Sequence, residues 1–315
     1  MSKPSMSKTP LRIGTRGSPL ALAQANMVRR LLGAAHAALA APDATEIVVI
    51  KTSGDLMLDR PLAEVGGKGL FTKEIDEAQL EGRIDIAVHS MKDVPTWLPD
   101  GIVLGAVLER EDPRDALIAA TAKSLADLPR GAVVGTASLR RQAQILARRP
   151  DLQIVLLRGN VETRLRKVNE GAVAATLLAL AGLKRLGRAD AASAILDADE
   201  MLPAVAQGAV GVTCRADDAA AKKFLAALDH AASRAEIAAE RALLAVLDGS
   251  CRTPIAALAR VAGDGLMLRG LVAKPDGSRV VQGAQDGRAA DAEAIGRALG
   301  ERLRAGAGPN FLPGF

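Results

Sequence analysis

"LRIGTRGSPLALAQA", residues 11–25, decides the fold class. Its first five residues read as a strand. Ser18 and Pro19 then supply the cap and first-turn signals of a helix that should run to about Ala35. A strand that feeds a helix through a few loop residues is the repeating unit of an α/β sheet.

The same unit recurs on either side. "EIVVIKT" (46–52) reads as a strand, and "LFTKEIDEAQLEG" (70–82) as a helix ended by Gly82. "IDIAVHS" (84–90) is the next strand. Short β-rich runs joined by helices imply a parallel sheet with both faces covered. The charged, Pro-containing "LEREDPRD" (108–115) resembles a segment crossing between domains. Beyond it the pattern restarts. "AVVGT" (132–136) is a strand, "SLRRQAQILARR" a helix capped by Ser138, "QIVLLRG" (153–159) a strand, and "NVETRLRKVNEG" a helix capped by Asn160. "AVAATLLAL" (172–180) reads as a strand before the helix "AGLKRLG", and "GAVGVTCR" (208–215) as another strand. Two Ala-rich helices follow, about 217–230 and 233–247. An antiparallel group ("IAALARV", "LMLRGLVAK", "RVVQGAQ") and a last helix over about 290–304 make the final third α+β.

The 315 residues are too many for one core, and two or three domains are expected. The net charge of +5 points to an acidic partner. Nucleic acid and membrane fit poorly. With four Phe, one Trp and no Tyr, stacking platforms are nearly absent, and the basic residues are dispersed. The first residues hold no apolar export signal, and the longest apolar run, 172–183, is too short to span a bilayer. A cytoplasmic protein is expected. Two cysteines, Cys214 and Cys251, make no disulfide framework, and His36, His89 and His230 lack metal-ligand spacing. "GGKGL" (66–70) is not a phosphate-binding Walker loop, because no Ser or Thr follows Lys68.

Arginines mark the strand–helix junctions: Arg16 before "GSPLAL", Arg140 and Arg141 in the first turn after Ser138, Arg158 before "GNVETR" and Arg164 one turn into that helix. In a parallel sheet, strand carboxyl ends and helix N-termini share the ligand-binding edge. Helix N-termini already carry partial positive charge, so added arginine is locally unfavourable. The repetition therefore indicates a site for several carboxylates or phosphates, held by forked donors. "HSMKDVP" (89–95) ends a strand the same way. Lys92 there can join the anion site, and Asp93 can act on a cationic or proton-bearing group; alternatively the two form a solvated pair with no role. His89 should point into the core. Cys214 reads as a buried apolar residue. Cys251, in the loop "DGSCRTPI" beside Arg252, sits where a thiolate is favoured, as a covalent attachment point or an incidental thiol.

Together these stretches resemble the porphobilinogen deaminase (hydroxymethylbilane synthase) family. The matching runs include "GGKGLFTKEID", "DIAVHSMKDVP", "EREDPRDA", "GTASLRRQAQ", "LRGNVETRL", "LPAVAQGAVG" and "DGSCRTPI", in order over almost the whole chain. The resemblance implies two α/β domains like the lobes of periplasmic binding proteins, 10–108 with 208–228 and 113–202. It also implies an α+β domain over 231–315 and a disordered tail over 1–9. It implies a dipyrromethane cofactor bound by a thioether at Cys251. Porphobilinogen would be added head to tail with loss of ammonia, giving the linear tetrapyrrole hydroxymethylbilane. Asp93 would be the catalytic aspartate, stabilising the cationic azafulvene left by ammonia. Lys92, Ser90, Arg140, Arg141 and Arg164, with Asp93, would hold the cofactor. Arg16, Arg158, Arg164 and Arg185 would take substrate carboxylates, and Lys68 and Phe71 would belong to an active-site loop. The protein would be a monomer without nucleic-acid or membrane partners. The chain departs from the family at Ala174 (commonly Asp), Ala206 (Gly), Thr213 (Glu) and Ser250 (Gly), positions bearing on packing, domain-interface polarity and loop flexibility.

A two-lobed binding protein for an anionic ligand would explain the arginines but neither Cys251 nor Asp93. A basic nucleic-acid binder would explain the charge alone.

Overall fold

The computed structural model describes residues 10–56, 69–247 and 253–311. The tail 1–9, Lys68, Ser250 and Cys251 lie outside the described residues.

The first α/β unit runs β1 (Leu11–Thr15), α1 (Pro19–Ala35), β2 (Thr45–Val49), α2 (Ser53–Leu56), α3 (Lys73–Leu80), β3 (Ile86–Ser90) and β4 (Ile102–Val107). The second runs β5 (Asp115–Ala119), β6 (Val133–Gly135), α4 (Leu139–Arg148), β7 (Gln153–Val155), α5 (Val161–Asn169), β8 (Ala175–Ala179), α6 (Leu180–Arg185) and β9 (Ala194–Ile195). The chain then returns through β10 (Val210–Arg215) and α7 (Ala219–Ala226). It ends in α8 (Ala231–Val246), β11 (Ile255–Ala262), β12 (Gly265–Ala273), β13 (Val280–Arg288) and α9 (Ala292–Ala307).

The caps behave as the sequence predicts. Ser18 Oγ accepts from Ala21 N at 3.2 Å, Ser138 Oγ from Arg141 N at 3.4 Å, and Asn160 Oδ1 from Thr163 N at 2.9 Å. Each satisfies an otherwise unpaired helix-start donor.

The sheets differ from the expected parallel arrangement. One has order β2-β1-β3-β10-β4, the other β7-β6-β8-β5-β9. In both, three parallel strands are followed by one that runs against its neighbours: β10 against β3 and β4, β5 against β8 and β9. The cause is chain crossing. β5 is reached directly from the first unit, and β10 directly from the second, so each enters its sheet from the opposite end. The strands β4, β5 and β9 were not expected from sequence. "QIVLLRG" is strand only over Gln153–Val155, and His230 starts α8 rather than ending the helix before it. The fold is two α/β units, each built on a five-stranded sheet, plus a smaller α+β unit on a three-stranded sheet.

That smaller domain is an antiparallel sheet, β11-β12-β13, covered by α8 and α9. Ile237, Leu243, Leu268, Val272, Ile295, Leu299 and Leu303 form its core. A Cβ at Gly296 would fall 2.2 Å from the Ala239 carbonyl oxygen, so only glycine lets the helices approach this closely.

The two crossings lie side by side. Leu108 N donates to Val210 O at 3.0 Å, and Glu111 N to Gly208 O at 3.3 Å. Gly208 has φ +90, and a Cβ there would meet the Glu111 carbonyl oxygen at 2.3 Å. Arg110 donates to Gln207 O at 2.9 Å and forks onto Glu240 of α8 at 2.6 and 3.1 Å. Fully buried Glu240 also accepts from Ala206 N and Ala259 N, each at 2.7 Å. One carboxylate thus ties both crossings to the third domain, its charge met by Arg110 and two amides.

Candidate active site

β3 ends in a single 3₁₀ turn, Met91–Asp93, with Ser90 as the residue before it. Met91 N donates to Ala209 O at 3.1 Å, fastening the turn to the start of β10. Arg241, from α8, donates to the carbonyls of Val94 and Pro95, the first at 3.0 Å. Lys92 and Asp93 are therefore held from both sides of their turn.

Across from them, at the end of β1, Arg16 Nη1 lies 3.9 Å from Asp93 Oδ2, with side chains 22 % and 31 % exposed. The Arg16 guanidinium stacks 4.1 Å above the Phe71 ring, a cation–π contact that fixes its plane. Burial lowers the Lys92 ammonium to about pKa 8. Asp93 pulls it back upward, Arg141 and Arg140 push it down, and Asp115 supports it. Lys92 of the first α/β domain thus feels the arginine pair of the second.

That pair is buried. Arg140 Nη1 and Arg141 Nη2 each donate to Asp115 at 2.7 Å, with side chains 5 %, 7 % and 0 % exposed. Arg140 also donates to Leu202 O and Arg141 to Leu177 O, both at 2.8 Å. Burial alone would raise the Asp115 carboxyl, but the charges of Arg140 and Arg141 hold it well below the usual carboxylate range. Both arginine Nε–H groups are buried without a hydrogen-bond partner among the described residues. Arg164 extends the cluster. Its Nε donates to Gly159 O at 2.9 Å, and burial, then Arg141 and Arg158, bring it down to about pKa 10.

The structure therefore links Arg16 to Phe71 and Asp93, Lys92 to Asp93, Arg140 and Arg141, and Arg164 to Arg141 and Arg158. The Arg185 guanidinium donates to Gly208 O at 2.6 Å, on the crossing. His89 is buried as expected, its Nε2 3.2 Å from Thr213 Oγ1. Burial, with Arg16, lowers it to about pKa 4, so it stays neutral. Cys214 is buried, as expected.

A site so rich in guanidiniums suits a polyanion, and comparison with known proteins names one. Residues 11–223 match the family model "Porphobilinogen deaminase, dipyromethane cofactor binding domain", and 234–305 match "Porphobilinogen deaminase, C-terminal domain". The chain belongs to the porphobilinogen deaminase family. The chloroplastic porphobilinogen deaminase of Oryza sativa subsp. japonica is 59% identical over 306 residues, 96% of this chain and 85% of that one. The porphobilinogen deaminase of Paracoccus denitrificans (strain Pd 1222) is 56% identical over 305 residues, 97% of each chain. Among solved structures, the methionine-binding protein MetQ superposes with TM-score 0.43 and 16% identity, covering 70% of this chain and 90% of that one.

The activity is that of a hydroxymethylbilane synthase of porphyrin biosynthesis. Four porphobilinogen molecules are condensed head to tail, ammonia is released, and the cofactor is dipyrromethane. The arginine cluster fits that cofactor. Each of its pyrroles bears an acetate and a propionate, and the Nε donors of Arg140 and Arg141 still lack acceptors.

Two family departures acquire physical meaning. Ala206, where relatives of the family commonly carry Gly, has φ +59, a conformation that strains any residue with a Cβ. Thr213 Oγ1 bonds His89 and Gln79 within the sheet, so the position holds a neutral buried network. Ala174 is exposed. Three residues at the site carried no sequence signal: Asp115, Gln207 and Arg241. Each lies far along the chain from what it touches, and only the fold brings them in.

Proposed function

We propose that Asp93 is the catalytic carboxylate and that Cys251 carries the cofactor through a thioether. Lys92, Ser90, Arg140, Arg141 and Arg164 would hold the cofactor's side arms, together with Asp93. Arg16, Arg158, Arg164 and Arg185 would take the carboxylates of incoming substrate. Lys68 and Phe71 would border the cleft. When bound, the cofactor supplies the pyrrole carbon from which the chain is extended.

The single observation that carries this reading is the position of Asp93. It lies beside Arg16 on one side and next to Lys92, whose charge reaches Arg140 and Arg141, on the other. Cations around it bind acidic side arms, and it is left to face positive charge. As the C–N bond of the substrate's protonated aminomethyl group breaks, the electron pair leaves on nitrogen as ammonia. The ring it leaves is cationic, and the Asp93 carboxylate stabilises that charge. When the next C–C bond forms, the pyrrole loses a proton, which Asp93 is placed to take. Release of the finished chain consumes water.

We further read the chain as a cytoplasmic monomer acting without nucleic acid. It would be divided into domains at 10–108 with 208–228, 113–202 and 231–315. Among the described residues no helix is long and apolar enough to cross a membrane. Intact mass tests the covalent part. Active protein should weigh more than its sequence by one dipyrromethane unit, and Cys251→Ser should remove both the extra mass and the activity. Active protein at its bare sequence mass would contradict the tether.

A further inference from the structure

Asp115 opens β5, the strand reached directly from the first crossing. It is fully buried, and its two oxygens are shared among Arg140, Arg141 and Gln207. Gln207 Nε2 donates to Asp115 Oδ1 at 2.9 Å and to Pro113 O at 2.7 Å. Asp115 is thus braced by both crossing segments. Its acceptors take one Nη group from each guanidinium, and the Leu177 and Leu202 carbonyls take further Nη–H bonds. Each guanidinium keeps donors unspent: Nε–H on both, buried and without an acceptor, and Nη2 on Arg140. A buried donor left unmade costs about 1–3 kcal/mol, which a ligand carboxylate relieves.

We propose that Asp115, braced by Gln207, is the positioning residue of the Arg140–Arg141 pair, fixing both guanidiniums so that their unspent N–H groups remain the donors for carboxylates of the cofactor and of each pyrrole as it is added. Asp115 is fully buried against the arginines and Gln207, and it acts through the arginines. A lone arginine pair this buried would repel itself and Lys92, and one carboxylate between them removes that repulsion without occupying the binding edge. Gln207 also couples the pair to the crossings, so relative movement of the α/β domains is felt at the anion site.

The inference rests on the reading of Arg140 and Arg141 as ligand-binding groups, and the experiment separates the two. Asp115→Asn keeps the shape and removes the charge. Measured per folded molecule, its KM for porphobilinogen should rise about tenfold, the loss of one charge-assisted hydrogen bond's worth of orientation. Its kcat should stay within about threefold, and intact mass should show a smaller loaded fraction. Lys92, which faces Asp93, Arg140, Arg141 and Asp115, loses one supporting anion. Its charge should therefore be lost at lower pH, and the rise of KM on the alkaline side should move to lower pH. A merely structural Asp115 would lower the melting temperature and leave KM, loading and the alkaline limb unchanged per folded molecule; that result overturns the proposal. If Asp115→Asn does not accumulate folded, Gln207→Met removes the brace and leaves the charge. Its KM should rise about threefold, the scale of a neutral hydrogen bond, and an unchanged KM overturns the proposal. Arg164→Gln reports on the anion site itself. Unchanged KM there with raised KM in Asp115→Asn corrects the site and keeps Asp115; raised KM there with unchanged KM in Asp115→Asn rejects Asp115 alone; unchanged KM in both rejects both.

Discussion

At the junction of β1 and α1, Arg16 stands just ahead of the Ser18 cap, partly exposed and 3.9 Å from Asp93. At the matching junction of β6 and α4, Arg140 and Arg141 stand just after the Ser138 cap, buried and each 2.7 Å from Asp115. The strand orders around the two junctions are the same. One domain leaves its charges loosely opposed and partly exposed, where, on the proposed function, they respond to a substrate that is anionic at its arms and cationic at its reacting ring. The other locks its cations onto an internal counter-ion, where they can only bind. Topology fixes where charge gathers, and the neighbouring acid decides whether it is rigid or responsive.

Stability should break the symmetry most visibly. Arg141→Gln strips a partner from a fully buried carboxylate and should cost about 3 kcal/mol in denaturant unfolding. Arg16→Gln removes a partly exposed pair at 3.9 Å and should cost less than about 1 kcal/mol while still raising KM. Equal losses in the two variants would erase the distinction between the domains. A finer comparison concerns how the responsive side is held. Arg241→Met removes the donors to the Val94 and Pro95 carbonyls behind the Asp93 turn. Its kcat should fall about tenfold with KM nearly unchanged, since misplacing a catalytic group weakens the transition state more than binding. A shift in KM alone would assign Arg241 to binding.

The sequence made part of this legible. Capping by Ser18, Ser138 and Asn160 is local, so four residues suffice to see it. The arginine junctions and the Lys92–Asp93 turn were visible for the same reason. The antiparallel strands were not: β5 and β10 owe their direction to crossings whose ends pair only in three dimensions. β5 hid behind a charged Pro segment, and Gly105 breaks the apolar run of β4. Asp115 is 25 and 26 residues from the arginines it serves, and Arg241 is 147 from Val94. No periodicity spans such distances. The arginines were expected as forked donors to a ligand; the structure shows that Asp115 takes one Nη group of Arg140 and of Arg141.

The responsive half of the comparison stands or falls with Asp93. Asp93→Ala should bind porphobilinogen within about threefold of the parent and release ammonia about 10³-fold more slowly, the range for removing an electrostatic stabiliser that also accepts a proton. Ammonia release near the parental rate, with substrate binding intact, would contradict the account.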